Sequence, residues 1–233
     1  MTAIIAHRGL HVVERENTLG AFRAAVALGV DGIELDVRRT ADGTLVVQHD
    51  PVVDDLVIGE TSFAELPTHV ATLDQALDAC AGVQVNVEIK NSRHVNEPTY
   101  DETGQLARDV ASLIYDKNWS SSVIISCFDV VTCATIRSFD ERLPLAWLLD
   151  WQLDVPAALT QAHVLGFNAV NPYVGCWNQT TAELAHDLGL DVNVWTVNDR
   201  PTMERMVELG VNAIITDDPA LGLNVVAHKR PGA

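Results

Sequence analysis

Short apolar runs rich in Val, Ile and Leu punctuate the 233-residue chain, and between them apolar residues recur at three- and four-residue spacing. The first pattern predicts strands and the second predicts helices. Side chains alternate across a strand, whereas on a helix they return to one face about every 3.6 residues. Strand-like runs fall at 3–7, 32–37, 44–49, 83–90, 123–127, 145–149, 168–171, 191–196 and 212–216. Helical spacing falls at 18–28, 105–116, 130–138, 155–165, 181–188 and 201–209. In the first of these, Leu19, Phe22, Ala25 and Val26 share a face, and Gly29 follows as a stop. Gly166, Gly189 and Gly210 stand just past three others.

Alternation of this kind predicts an α/β protein with a parallel sheet covered by helices. A closed (β/α)8 barrel accounts for it best, as a single domain over 1–233, with an open doubly wound sheet as the alternative. Nine strand runs compete for eight barrel positions. The stretch 38–43 is too short for a helical crossover, so runs 32–37 and 44–49 are expected to form a hairpin around Ala41, Asp42 and Gly43.

Two strands carry charge where a buried sheet should be apolar. Ile33, Leu35 and Val37 share one face of their strand, and Glu34, Asp36 and Arg38 share the other. Val85, Val87 and Ile89 likewise oppose Asn86, Glu88 and Lys90. If the apolar rows pack under helices, the ionic rows point into the barrel mouth. Grouping three carboxylates there requires a compensating charge. A divalent cation supplies it, and ligands that are all oxygen favour a hard ion, Mg²⁺ or Ca²⁺. A solvated polar strand face is the competing reading.

His7 and His49 each end a strand, at the rim where barrel chemistry resides. The hairpin would bring His49 level with Glu34 and Asp36. Two imidazoles beside a charged centre suit proton transfer near neutral pH. His11 lies close by and is a weaker candidate on the substrate side. Arg8 and Lys90 are cations suited to a phosphate or carboxylate. Phe128 and Trp195 close strands at the same rim and either wall a pocket or belong to the core.

Composition narrows the partners. Fifteen Lys and Arg against 32 Asp and Glu leave a net charge of −17, which argues against a broad nucleic-acid face. Cys80, Cys127, Cys133 and Cys176 contain no C-x-x-C pair and read as reduced thiols. The start of the chain carries no basic segment before its first apolar run, and no apolar run reaches membrane-spanning length. A cytoplasmic protein without stable membrane association is expected. The sequence has no G-x-G-x-x-G, P-loop or G-x-S-x-G.

The ordered set His7-Arg8-Gly9, Glu16-Asn17-Thr18, Glu34-x-Asp36, His49-Asp50 and Glu88-x-Lys90 resembles the glycerophosphodiester phosphodiesterase family. Ser126-Cys127-Phe128, Trp195-Thr196-Val197-Asn198 and Ile215-Thr216-Asp217-Asp218-Pro219 extend the likeness along nearly the whole chain. The resemblance implies a TIM-type barrel that hydrolyses glycerophosphodiesters, such as glycerophosphocholine or glycerophosphoethanolamine, to sn-glycerol 3-phosphate and an alcohol. It implies His7 and His49 as the catalytic histidines and Glu34, Asp36 and Glu88 as metal ligands. Arg8 and Lys90 would be the phosphate-binding cations, and Glu16 and Asn17 would shape the loop. Many members carry a larger lobe after the His-Asp pair. Here only a short insertion, 51–72, follows the third strand, and the loop 91–104, with His94, Tyr100 and Asp101, is expected to act as a lid. Phospholipase D-like action on lysophospholipids, or a non-catalytic barrel binding a metal or polyol phosphate, are the alternatives.

Overall fold

The computed structural model describes residues 1–93 and 98–228. Eight parallel strands close into a barrel: β1 (Ala3–His7), β2 (Gly32–Arg39), β6 (Gln84–Ile89), β7 (Val123–Cys127), β8 (Leu145–Leu149), β9 (Ala169–Pro172), β10 (Asp191–Val194) and β11 (Ala213–Thr216). Strand β1 pairs with both β2 and β11 and so completes the ring. The TIM-type barrel expected from the alternation is therefore present, and the open sheet is not.

The surplus strand is β3 (Leu45–Val47). It runs antiparallel to the end of β2, outside the ring, with Val37 opposite Val47. Strand β2 is long enough to serve both neighbours. Its first part pairs with β6 and its last residues project past the rim to hold β3. The reversal at 40–43 needs Gly43 at φ 87°, a conformation that suits glycine. Beyond β3, the insertion contains β4 (Val52–Val53) and β5 (Leu56–Val57), joined through Asp54 and Asp55, both at positive φ. Val46, Val53, Ile58, Leu66 and Val70 give this lobe a small core of its own.

Helices α1 (Leu19–Leu28), α2 (Leu73–Ala79), α3 (Gln105–Asp116), α4 (Val130–Phe139), α5 (Val155–Val164), α6 (Gln179–Asp187), α7 (Arg200–Glu208) and α8 (Pro219–His228) cover the strands. Oxygen-bearing side chains start many of them: Thr18, Thr72, Asp129, Asp154, Asn178 and Asp199 each accept a bond from the first turn. Gly29, Gly166, Gly189 and Gly210 all take positive φ, as their places after helices predict. The sequence pattern did not reveal α8. Its Gly222 lies close to β1: a Cβ there would come within 3.1 Å of the Ile4 side chain, which would have to shift to admit it.

The alternation of faces holds around the ring. Ile4, Ala6, Ile33, Leu35, Val37, Val85, Val87 and Ile89 join the main core with Phe22, Leu77, Val110 and Ile114 of the helices. Inside the ring Ile5, Ala213 and Ile215 form a smaller apolar plug, with Trp195 packed against it. Above this plug the interior turns polar: Glu34, Asp36, Asn86, Glu88, Ser126, Asn171 and Asn193 are all buried. The four cysteines are unpaired, and three are buried. No helix among the described residues is long and apolar enough to cross a membrane.

Candidate active site

Strand register assembles the carboxylates. Parallel pairing sets Glu34 beside Asn86 and Asp36 beside Glu88 on β2 and β6, and His7 beside Glu34 on β1 and β2. One oxygen from each of Glu34, Asp36 and Glu88 lies within 4.8 Å of the others, and all three residues are buried. Arg8 and Lys90 flank the group. Lys90 Nζ is 2.7 Å from Glu88 Oε1 and 3.4 Å from Asp36 Oδ1. Arg8 Nε is 3.4 Å from Asp36 Oδ2, and Arg8 NH1 bonds both Glu16 oxygens at 3.1 Å.

These neighbours divide the carboxylates. Burial pushes Asp36 up, but Lys90 and Arg8 outweigh it and hold the carboxyl at about 2. Asn17 adds a 2.7 Å bond from Nδ2 to Asp36 Oδ2 and accepts the Asp36 amide at 3.3 Å. Glu34 goes the other way. Burial raises it well above the usual carboxylate range, and the charges of Asp36 and Glu88 raise it further. Its Oε2 accepts the Arg8 amide at 3.1 Å, while its Oε1 is buried with no hydrogen-bond partner among the described residues. A buried, orphaned carboxylate oxygen beside two more carboxylates fits a divalent cation. The donors are all oxygen, which fits a hard one.

Both candidate histidines reach the same space. His7, Arg8, Glu34, His49, Asn86, Glu88, Lys90, Phe128, Leu148, Trp195, Thr196 and Ile215 line a cavity of about 140 Å³. That is small beside the ~300–1,000 Å³ of drug-sized sites and matches a compact polar ligand. Phe128 and Trp195 face each other edge to face at 5.5 Å and both line the cavity, Trp195 also packing on the apolar plug below it. A larger depression of about 730 Å³ lies between α6 and the segment that follows α7, at the opposite end of the barrel, and none of these residues lines it.

Three further placements bear on these expectations. Arg38 shares the ionic row of β2, yet its guanidinium donates to the His49 carbonyl at 2.6 and 3.0 Å, so it supports the hairpin end. No described residue of 91–104 lines the cavity. Tyr100 bonds Asp129 and Asp101 caps the start of α3, while His94 lies outside the described residues. His11 meets no carboxylate of the buried trio. Its Nε2 lies 3.0 Å from Asp217 Oδ1, the same oxygen that His7 Nδ1 contacts at 2.6 Å. Asp217 and Asn198 received no role from the sequence pattern, because both sit just beyond strand ends where alternation no longer assigns a face.

The sequence profile of the glycerophosphoryl diester phosphodiesterase family matches residues 7–221. The chain belongs to that family. It is 30% identical to the glycerophosphodiester phosphodiesterase of Caldanaerobacter subterraneus subsp. tengcongensis, over 97% of this chain and 98% of the relative. The crystal structure of a glycerophosphodiester phosphodiesterase from Parabacteroides distasonis superposes with a TM-score of 0.83 at 25% identity, covering 98% of both chains. An Oleispira antarctica phosphodiesterase, solved with the product sn-glycerol-3-phosphate, shares the fold with a TM-score of 0.86 at 18% identity, over 97% of each chain. Membership makes the chain an enzyme, a glycerophosphodiester phosphodiesterase, and the barrel is the family's fold. A non-catalytic barrel is thereby set aside. A barrel that had lost catalysis would be expected to lack a histidine or a carboxylate of the set, whereas His7, Glu34, Asp36, His49 and Glu88 are all present around one centre.

Proposed function

We propose that the cavity hydrolyses small, water-soluble glycerophosphodiesters such as glycerophosphocholine or glycerophosphoethanolamine to sn-glycerol 3-phosphate and an alcohol, with a divalent cation held by Glu34, Asp36 and Glu88. The observation that carries this reading is the orphaned Glu34 Oε1 within a buried carboxylate trio, flanked by two cations and two histidines. Magnesium or calcium bound there would supply Lewis-acid neutralisation of a phosphoryl oxygen.

The side chains supply the rest. Arg8 and Lys90 retain unused donors beyond their carboxylate partners and bind the remaining phosphate oxygens, sharing the charge that grows in the transition state. His7 and His49 each place Nδ1 on an aspartate, Asp217 at 2.6 Å and Asp50 at 2.8 Å, which leaves Nε2 of each for proton transfer. One removes a proton from the nucleophile and the other delivers one to the departing alkoxide. Phe128 and Trp195 pack against the carbon skeleton and keep water from the far side. No residue of 51–72 lines the cavity, so the short insertion leaves this side open.

Exposed apolar residues support lysophospholipids as a second substrate class. Val12 and Val13, in the loop after β1, and Trp151, in the loop after β8, lie at opposite sides of the mouth and are 63%, 68% and 66% exposed. Replacing Glu34 by Gln tests the shared core of both readings. We expect at least a tenfold weaker metal affinity by calorimetry, with turnover of glycerophosphocholine and lysophosphatidylcholine falling together. Unchanged affinity would return the ionic rows to solvated strand faces, and the faster substrate in the parent protein chooses between the two classes.

A further inference from the structure

We propose that Asp217 is a positioning residue that fixes the tautomer and aim of His7, with Asn198 and His11 as its anchors. The proposal rests on His7 acting in catalysis as described above. His7 ends β1 and Asp217 follows β11, the strand that closes the ring against β1, so barrel closure itself brings the two together. His7 Nδ1 lies 2.6 Å from Asp217 Oδ1. An ionised carboxylate only accepts, so the proton sits on Nδ1. The Nε2 lone pair then faces the carboxylate trio, 3.9 Å from Glu34 Oε2.

The carboxylate is held from every side. Oδ1 also accepts from His11 Nε2 at 3.0 Å, and Oδ2 accepts from Asn198 Nδ2 at 2.6 Å. Asn198 Oδ1 in turn accepts the Asp217 amide at 2.9 Å and the Thr216 hydroxyl at 3.2 Å. The bond from His7, with those from His11 and Asn198, keeps the Asp217 carboxyl well below its ordinary range, so it stays an acceptor. His49 has no such support. Asp50 is its ring partner, yet that side chain is 71% exposed. His7 is thus the histidine of fixed geometry. A proton enters or leaves its ring at Nε2, while the Nδ1 proton stays on His7, bonded to the Asp217 carboxylate, throughout.

Asparagine at 217 is the informative change. Its amide must face either the two imidazoles or Asn198. In the first arrangement His7 has to accept at Nδ1 and its proton moves to Nε2. In the second, the bond to Asn198 is lost. A carboxylate-to-amide change behind a catalytic histidine costs about 10⁴ in kcat where it has been dissected in a serine protease.

The test combines imidazole ¹⁵N NMR at pH 8, with His7 signals assigned by their loss in His7→Gln, and steady-state kinetics on glycerophosphocholine with Mg²⁺ or Ca²⁺. We expect the Nδ1–H tautomer in the parent protein. In Asp217→Asn we expect its loss, with kcat at least about a hundredfold lower and KM within threefold. Asn198→Ala, which unanchors the carboxylate without removing it, should lower kcat about tenfold with KM unchanged, and it carries the test if Asp217→Asn does not fold. An unchanged tautomer and kcat in Asp217→Asn would overturn the proposal. So would a second bound metal equivalent that Asp217→Asn abolishes, since Asp217 would then be a ligand. Absence of turnover in the parent protein would count against the proposed function instead, and the NMR readout would still decide the role of Asp217.

Discussion

Arg8 sits at φ 56°, and this left-handed backbone lets one residue serve several carboxylates. Its amide holds Glu34 while its guanidinium reaches Glu16 and Asp36. The next residue, Gly9, has φ 82°, and a Cβ there would lie 2.8 Å from the Ala21 backbone, so the His-Arg-Gly turn cannot relax outward. Such a turn aims a planar fork. Replacing Arg8 by Lys should therefore keep the charge but lose the fork, lowering kcat/KM for a glycerophosphodiester about tenfold. Unchanged kcat/KM would mean that Arg8 only balances charge. At this scale much of the site was legible. Glu34, Asp36 and Glu88 stood out because period-two alternation put carboxylates where a buried strand should carry Val or Leu. Arg38 belonged to the same row and misled, since a long side chain can leave its row to reach a backbone carbonyl. The bonds of Asp217 to His7 and His11 were not legible, because only closure of the barrel brings residues over 200 positions apart into contact, and Asn198 joins them from the neighbouring strand end.

The β2–β3 hairpin is the element that delivers His49, and Asp42 in its turn tethers it to the insertion. Asp42 accepts bonds from Thr40 Oγ1 at 2.5 Å and Ser62 Oγ at 2.9 Å, and these hold its carboxyl down at about 2. In an unfolded chain an aspartate titrates near ~3.9. A depressed folded value means that the tether's contribution is complete above pH ~4 and is lost as the pH falls toward about 2. The urea midpoints of the parent protein and Asp42→Asn should therefore differ more at pH 6 than at pH 2.5. An equal gap at both would contradict a charge-dependent tether. Most elements could be read in advance, because β-branched runs bounded by glycines are strong local signals. The ninth strand run was resolved by length: β2 outruns the ring, so its end needs a partner that the barrel does not supply. Helix α8 stayed hidden, since Gly222, Asn224, Val225 and Val226 are poor helix formers that are retained by packing on β1.

Across the whole molecule, a chain of net charge −17 keeps two cations, Arg8 and Lys90, at the mouth of its barrel. Burial raises the cost of each carboxylate there, and the cations answer for Asp36 but not for Glu34. The proposed function places a divalent ion at this remaining charge and depends on it. The most direct test is release of sn-glycerol 3-phosphate from glycerophosphocholine by EDTA-stripped protein, before and after addition of Mg²⁺ or Ca²⁺. We expect no turnover in the stripped protein and restoration by one of the two ions. Full turnover after stripping, with metal removal verified, would contradict a metal-dependent site built on Glu34, Asp36 and Glu88.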